Sequence, residues 1–129
     1  MFYWLRSLFS ALCQKKRKPI AATFEIFKDK SKQYRFRLKA KNGEIILASE
    51  GYTTKASANK GIASVKANAS FDSCYERKDA KNGQPMFNLK AANHEVIGTS
   101  ERYSSNAARD GGIFSVKANA LYAEVVDIT

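Results

Sequence analysis

The fold is decided by a stretch of sequence that occurs twice, first as FEIFKDKSKQYRFRLKAKNGEIILASEGYTTKASANKGIASVKANA at residues 24–69 and then as YERKDAKNGQPMFNLKAANHEVIGTSERYSSNAARDGGIFSVKANA at residues 75–120. The two copies align at a constant offset of 51 residues without a gap, and 22 of the 46 paired positions are identical. The chain therefore contains two structural repeats. They should share one core, because about 46 residues is near the lower limit for independent folding.

The first part of each repeat reads as strands. Alternation of polar and apolar residues predicts strands at residues 24–29 and 34–40. The dipeptide Asn42-Gly43 predicts a tight turn into a third strand at residues 44–49.

Two substitutions in the second repeat affect these strands and turns. His94 replaces Gly43, so we expect that turn to change type or to be slightly strained. We interpret His94 as a turn residue that tolerates unusual φ rather than as a ligand or a general base. Pro85 replaces Tyr34 and should mark a strand start or a sheet edge.

A helix is predicted in the last part of each repeat. Its apolar residues recur at spacings of three and four, as Ile62, Val65 and Ala69 and as Ile113, Val116 and Ala120. The predicted caps are Thr53 or Thr54 and Ser104 or Ser105 at the N-termini, with Asn68 and Asn119 at the C-termini. A mid-helix glycine, Gly61 or Gly112, costs stability, so we expect the helix to approach the sheet closely there. A further strand is predicted after each helix, at residues 71–78 and 122–128.

The two repeats resemble the YegP-like family of small bacterial proteins of unknown function. The stretches that carry the resemblance are SEGY at residues 49–52 and the GIxSVKxNA pattern at residues 61–69 and 112–120. The resemblance covers about residues 23–129, and residues 1–22 lie outside it. It implies an α+β fold of two tandem β-β-β-α-β repeats related by a pseudo-twofold axis. These would form a single mainly antiparallel sheet, with both helices on one face and exchanged C-terminal strands. The family carries no established catalytic residues or ligands.

Composition limits the class of protein. The chain of 129 residues carries 22 Lys and Arg against 12 Asp and Glu, a formal net charge of +10. Five of the positive charges, and no negative ones, precede residue 24. A positive chain favours polyanion partners such as nucleic acid or anionic lipid, although the charge could also serve solubility alone. The two cysteines, Cys13 and Cys74, are expected to be free thiols in a reducing, cytoplasmic environment.

The sequence holds no recognisable catalytic or cofactor motif, so we expect a protein that is not an enzyme and has no cofactor or metal site. Glu50 and Glu101 could form a symmetry-related carboxylate pair, although a structural role at the strand-to-helix turn is the simpler interpretation. Tyr52 and Tyr103 would seal the edge of the core with a bonded hydroxyl, or else line a shared groove.

A basic strand face is the main functional clue. Arg35, Arg37 and Lys39 share one side of the second strand, opposite the side that would face the core. With Lys28, Lys90 and Phe27 nearby, this surface could neutralise phosphates and stack a base. Met86 and Asn88 replace the two arginines in the second repeat, and the alternative is a solvated cationic face without a ligand. The leading hypothesis is a binding or accessory module, monomeric but pseudo-dimeric, that contacts nucleic acid; the protein partner, if any, is unknown.

The N-terminal extension, residues 1–22, suggests a second hypothesis. Wound as a helix, its residues 1–18 place a broad apolar face ahead of a cationic cluster, as a segment lying in an anionic membrane interface would. The candidate membrane-contact residues are Trp4, Leu5, Leu8, Phe9, Lys15, Lys16, Arg17 and Lys18. The protein would then be a peripheral membrane or protein-interaction module. The segment could instead dock on the protein's own body, be disordered, or be absent from the cellular protein.

Overall fold

The repeats build one sheet and two helices. The computed structural model describes residues 21–129. In chain order its elements are β1 (Thr23–Lys28), β2 (Tyr34–Lys39), β3 (Ile45–Ala48), α1 (Lys55–Asn68), β4 (Tyr75–Asp79), β5 (Pro85–Lys90), β6 (Val96–Thr99), α2 (Asn106–Asn119) and β7 (Glu124–Asp127). A short 3₁₀ helix follows each α-helix, at Asp72–Cys74 and Ala120–Tyr122.

The sheet topology reveals the pseudo-twofold axis. The strands lie in the order β4-β5-β6-β3-β2-β1-β7, and every neighbouring pair is antiparallel except β1 and β7. At the centre, Ala48 of β3 lies opposite Thr99 of β6. These positions are equivalent in the two repeats, so the axis passes between them. The expected α+β fold, with both repeats in one mainly antiparallel sheet, is confirmed.

The exchange of C-terminal strands occurs at one end of the sheet. β7 follows the second repeat but pairs in parallel with β1 of the first, starting with Thr23 opposite Glu124. The separate strand predicted at residues 71–78 is corrected: Asp72–Cys74 is a 3₁₀ helix, and Tyr75–Asp79 is the second repeat's own first strand. Only five residues separate the two repeats, which leaves no room for a strand of each kind.

The core lies between one face of the sheet and the two helices. Alternate strand residues point into it, and Phe24, Phe36, Leu38, Phe87 and Leu89 are all fully buried. Both helices add to the same cluster through the apolar residues that their spacing predicted, namely Ile62, Val65 and Ala69 from the first repeat and Ile113, Val116 and Ala120 from the second. Because each such side chain stabilises the fold by about 1.5–3 kcal/mol on burial, the repeats depend on one another for stability.

The mid-helix glycines allow the close approach that the sequence predicted. A Cβ at Gly61 would lie 2.7 Å from the Tyr52 hydroxyl and 2.8 Å from the Phe36 ring. Gly112 has the same relation to Tyr103. The tyrosine rings stack on the phenylalanines at 6.3 Å in the first repeat and 6.4 Å in the second. Each helix thus lies directly on an aromatic pair that would not admit a methyl group.

A second close approach lies near the pseudo-twofold axis. Gly98 of β6 occupies the position that is equivalent to Leu47 of β3. A Cβ at Gly98 would lie 2.6 Å from the Leu47 side chain. The core at the axis therefore has space for one leucine side chain and not for two. The presence of glycine at position 98 avoids the overlap that a second leucine would produce.

The helix caps follow the sequence at their N-termini. Thr54 and Ser105 accept hydrogen bonds from the backbone N–H groups of Ser57 and Ala108, each at 3.0 Å. The C-terminal prediction needs correction, because Asn68 is the last residue of α1 rather than its cap. Its side-chain amide donates to the Ser64 carbonyl at 2.8 Å, as does the equivalent amide in α2.

The two β2–β3 and β5–β6 turns have the same geometry. Gly43 has φ +90°, and His94 adopts φ +70° at the equivalent position. Both turns keep the same backbone hydrogen bonds, from Gly43 to Ala40 and from His94 to Ala91 at 2.9 Å. The interpretation of His94 as a turn residue with unusual φ is confirmed. Of the two expected consequences, the change of turn type is wrong, whereas a slightly strained turn agrees with the positive φ of a residue that has a Cβ. Pro85 begins β5, as predicted.

Candidate functional site on the open face of the sheet

The side of the sheet that faces away from α1 and α2 is here called the open face. Its residues alternate with the buried ones along each strand, and no other element of the described chain packs on it. The side chains that define it are Glu25 and Phe27 of β1, Arg35, Arg37 and Lys39 of β2, Ala48 of β3, Glu76 and Lys78 of β4, Met86, Asn88 and Lys90 of β5, and Thr99 of β6.

One row of side chains crosses the open face from β4 to β1. Strand register places its members in the order Glu76, Asn88, Thr99, Ala48, Arg37 and Glu25. In the second repeat, the Asn88 amide donates to Glu76 at 3.0 Å and its oxygen accepts from the Thr99 hydroxyl at 2.9 Å. In the first repeat, Arg37 occupies the position of Asn88 and donates from Nε to Glu25 at 2.8 Å. Equivalent positions on the two sides of the axis therefore carry a neutral amide, Asn88, and a cation, Arg37.

Arg35, Arg37 and Lys39, here called the basic triplet, do lie together as the sequence predicted. Their side chains are between 29% and 38% exposed. Arg35 Nε binds Asp29 Oδ2 at 2.6 Å, and Lys39 Nζ lies 3.5 Å from Glu25 Oε2. Each cation of the triplet is thus held in place by a carboxylate while part of it remains accessible.

The carboxylates of the open face are held in their ionised form. Burial acts to raise the pKa of Glu25, but hydrogen bonds and charges from Arg37 and Lys39 outweigh it, and the pKa lies below its ordinary value. The hydrogen bond from Arg35, followed by that from the Gln33 amide, lowers the pKa of Asp29. These carboxylates position cations at neutral pH and are unsuited to donate a proton.

An aromatic ring completes the first-repeat side of the face. The Arg37 guanidinium lies over the Phe27 ring, 4.4 Å from its centroid. Phe27 is partly exposed. Attraction to the ring face therefore helps to hold the Arg37 guanidinium in place on the open face.

The two halves of the open face differ in charge. With the adjoining hairpin turns and Glu124 of β7 included, the first-repeat side has six cations against four carboxylates, and the second-repeat side has three against two. Both arginines belong to the first side, since Met86 and Asn88 stand at the equivalent positions. The first-repeat half is therefore the more basic, and it alone presents guanidinium groups.

Two predicted members of the basic surface lie elsewhere. Lys28 has the same strand parity as Ile26 and so points to the helix side, where its Nζ lies 5.0 Å from the centre of the Tyr34 ring. The prediction that Lys28 belongs to the basic surface is therefore wrong, because strand alternation places this residue on the helix side. Lys90 does lie on the open face, but in the second-repeat half, three strands from β2, and it pairs with Glu76 at 3.4 Å.

The symmetry-related glutamates are not a pair. Glu50 and Glu101 follow β3 and β6, which run in opposite directions from the Ala48–Thr99 contact, so the two carboxylates diverge to opposite ends of the sheet. Burial raises the pKa of Tyr52, with smaller contributions from the charges of Glu50 and Glu95. Burial also raises the pKa of Tyr103, and there the contributing charges are those of Glu101 and Glu44. Each symmetry-related glutamate therefore lies near a different tyrosine. Antiparallel geometry therefore rules out the paired-carboxylate arrangement.

Tyr52 and Tyr103 seal the core through their rings, as preferred from the sequence. The expected bonded hydroxyl is wrong for Tyr103, whose oxygen is buried and has no hydrogen-bond partner among residues 21–129. The ring instead fills the space above Gly112.

The proposed membrane contacts lie outside the described residues. These are Trp4, Leu5, Leu8, Phe9, Lys15, Lys16, Arg17 and Lys18, and Cys13 also lies outside. Within residues 21–129, neither helix has the length and apolar character needed to cross a bilayer. Cys74 is a free thiol.

Sequence reasoning missed the acidic partners of the basic triplet. Glu25 has the same strand parity as Phe27, and in a hairpin of this length it falls opposite Arg37. The signal was therefore available once the turn between residues 29 and 33 was assigned. The interaction of Asp29 with Arg35 could not be derived in this way, because it depends on how the turn folds back.

Comparison with known proteins gives one family. The model of a domain of unknown function, DUF1508, matches residues 29–76 and again residues 80–127. The two matches are related by the same offset of 51 residues as the internal duplication.

Relatives and solved structures match over most of the chain. A UPF0339 protein from Acinetobacter baylyi is 61% identical over 106 residues, which are 82% of this chain and 96% of the relative. The UPF0339 protein YegP of Escherichia coli K12 is 53% identical over 110 residues, covering 85% of this chain and all of the relative. Solution structures of YegP from Escherichia coli, a protein of unknown function, and of a UPF0339 protein from Shewanella oneidensis match with TM-scores of 0.81 and 0.79. Their identities are 52% and 49%, and they cover 86% and 85% of this chain, and 96% and 93% of their own.

Proposed function

The chain belongs to the DUF1508 family of proteins of unknown function, and we propose that it is a non-enzymatic binding module that holds an anionic partner, nucleic acid above all, on the first-repeat half of its open face. The observation that carries the proposal is the guanidinium of Arg37, which is oriented by Glu25 and stacked on Phe27.

Arg37 has unused hydrogen-bond donors. A guanidinium carries five N–H groups, and within the described chain only Nε of Arg37 has an acceptor, Glu25 at 2.8 Å. The two terminal nitrogens remain available, and a guanidinium edge matches a phosphate bidentately. Glu25 fixes the orientation in advance, so less side-chain entropy is lost when a phosphate binds.

The neighbours of Arg37 extend the site. Arg35 and Lys39 lie two residues to either side on the same strand face, about 7 Å away at 3.3 Å per residue. This spacing is close to that of successive phosphates in a single strand. Lys30, Lys32 and Lys41 are exposed in the flanking turns and have no carboxylate partner among residues 21–129.

The ring of Phe27 favours a single strand over a duplex. Bases of a single strand can stack on an accessible aromatic ring, and such stacking contributes about 1–3 kcal/mol per base. The bases of a duplex are not available for it. The expected partner is therefore single-stranded nucleic acid, bound with little sequence preference.

The test is a titration of labelled single- and double-stranded oligonucleotides, followed by fluorescence anisotropy at several salt concentrations. With three to four phosphates neutralised, the slope of log K against log salt for a single strand should be about −2 to −3. The variant R35M/R37N places the second repeat's residues in the first and should weaken binding by roughly tenfold or more while reducing the slope by about 1.

The matched control is K55Q/K60Q, which removes two positive charges from α1 on the helix side. It should leave affinity close to that of the natural chain. Absence of binding at low salt, or equal weakening by both variants, would contradict the proposal, since either result would remove the specific role of the open face.

A further inference from the structure

α2 carries an exposed apolar stripe that α1 lacks. Phe114 is 72% exposed, Leu121 is 57% exposed, and Tyr122 is 78% exposed. With the exposed Ala118 they recur at spacings of four, three and one, so they lie on one side of the helix and of the 3₁₀ helix that continues it. We call these four residues the apolar stripe.

The stripe is not a consequence of the repeat. In the first repeat, Ala63 and Ser70 stand at the positions of Phe114 and Leu121, whereas Ala67 and Phe71 match Ala118 and Tyr122. All four positions are exposed, but only Phe71 carries a large apolar side chain. Single exposed apolar residues are ordinary, whereas the grouping of Phe114, Leu121 and Tyr122 on one of two equivalent helices indicates a docking surface.

The described chain begins at the end of the sheet where the stripe lies. β1 pairs in parallel with β7, with Thr23 opposite Glu124. Ala22 therefore runs beside Ala123, and both are only 2% exposed. The described chain therefore begins close to Ala123, which directly follows Leu121 and Tyr122 of the stripe in sequence.

The sequence of residues 1–20 has the matching chemistry. Its apolar side chains are Phe2, Trp4, Leu5, Leu8, Phe9 and Leu12. The connection of eight residues, 13–20, can span up to about 26 Å, which exceeds the roughly 10 Å from Phe114 to Leu121 along the helix.

We propose that the apolar stripe of α2 is the docking surface for residues 2–12 of the same chain. The segment covers Phe114, Leu121 and Tyr122 and removes them from water. This goes beyond the proposed binding of nucleic acid, because the stripe lies on the helix side of the sheet and does not involve the basic triplet.

Trp4 provides the test, because it is the only tryptophan of the chain and lies within the proposed occupant. Its emission and its quenching by acrylamide are measured in the full-length protein, with a peptide of residues 1–20 as the reference for full exposure. Docking should shift the emission to shorter wavelength and reduce quenching. The variant F114A/L121S, which gives α2 the residues of α1, should return both signals to those of the peptide.

The control is F71S. Phe71 is the equivalent of Tyr122 at the other end of the sheet and is 57% exposed, but the described part of the chain begins beside β7, at the end where Tyr122 lies. This variant should leave Trp4 shielded. All three substituted side chains are exposed, and circular dichroism verifies that each variant retains the fold.

Three results would overturn the proposal. Trp4 of the full-length chain could be as accessible as in the peptide. Its shielding could depend on protein concentration, which would indicate a second copy as the partner. It could also appear only with anionic vesicles and be unaffected by F114A/L121S, which would indicate a lipid surface instead.

Discussion

At the scale of single residues, two buried tyrosines differ in what their hydroxyl groups contact. Tyr75 donates to the Ala69 carbonyl at 2.6 Å. Tyr103 has no such partner in the described chain. Burial, with smaller contributions from Glu101 and Glu44, raises the pKa of Tyr103 to about 12. The two hydroxyls therefore contribute to stability with opposite sign.

The substitutions Y103F and Y75F should have opposite effects. Removing the unpartnered Tyr103 hydroxyl should raise the free energy of unfolding by about 1 kcal/mol, whereas Y75F should lower it by about 1 kcal/mol. Urea unfolding at neutral pH measures both. A loss of stability in Y103F would indicate that its hydroxyl is bonded.

The pH dependence of Y103F provides a second readout. A tyrosine whose pKa is raised in the folded state contributes stability that is present below the unfolded value of 10.0 and is lost as the pH rises towards about 12. The natural chain should therefore lose stability in that alkaline range, and Y103F should lose less. Equal losses in the two proteins would contradict the assignment.

Single residues also show what the sequence could and could not predict. The turn role of His94 follows from its alignment with Gly43 and needs no tertiary information. The position of Lys28 on the helix side required only strict strand alternation. The unpartnered Tyr103 hydroxyl could not be foreseen, because it depends on how the ring, Phe87 and Gly112 pack in three dimensions.

At the scale of the helix, adjacent glycines of α2 have different surroundings. Gly112 faces the Tyr103 ring, and a Cβ there would overlap with the hydroxyl. Gly111 has no atom within 4 Å of the equivalent point. Neither glycine has positive φ. Space alone therefore decides the effect of a methyl group.

The pair G111A and G112A tests the close approach of helix and sheet. G111A should stabilise the protein by about 0.8–1 kcal/mol through helix propensity. G112A gains the same propensity, but it must displace Tyr103 and should be destabilising by about 1–3 kcal/mol. Urea unfolding of the two variants gives the comparison, and stabilisation by G112A would show that Tyr103 is not fixed above it.

Element boundaries followed from periodicity and capping residues, because both are local properties. The strand exchange between β7 and β1 was expected only from the family resemblance, since strand pairing is non-local. The strand predicted after the first helix, at residues 71–78, was wrong for a local reason. Residues 75–78 were assigned twice, once as the end of the first repeat and once as the start of the second.

At the scale of the whole molecule, the core that the two repeats share is asymmetric at the pseudo-twofold axis. Leu47 fills the space beside Gly98, so the two positions should be coupled. G98L alone should overpack the interface, and L47G alone should leave a cavity that costs about 2–5 kcal/mol. The exchange L47G/G98L restores the side-chain volume.

The double variant should therefore be more stable than the sum of the single effects by at least about 1 kcal/mol. The measurement is a double-mutant cycle by urea unfolding. Additive effects would indicate that the two repeats do not share this part of the core.

The open face was only partly predictable at the molecular scale. Strand alternation placed Arg35, Arg37 and Lys39 together. The distance of Lys90 from them depends on the strand order, which places β6 and β3 between β5 and β2. The order of the strands depends on packing across the whole sheet, so it cannot be predicted from local sequence patterns.

The most direct test of the account moves the binding site across the pseudo-twofold axis. In the R35M/R37N background, M86R/N88R places two arginines on the second-repeat half, where Glu76 stands in the position of Glu25. Anisotropy titration with a single-stranded oligonucleotide should show that the affinity and its salt dependence return. The preference for a single strand over a duplex should be smaller than in the natural chain, because Lys78 stands at the position of Phe27. If binding stays as weak as in R35M/R37N, the guanidinium groups of the open face are not the binding site.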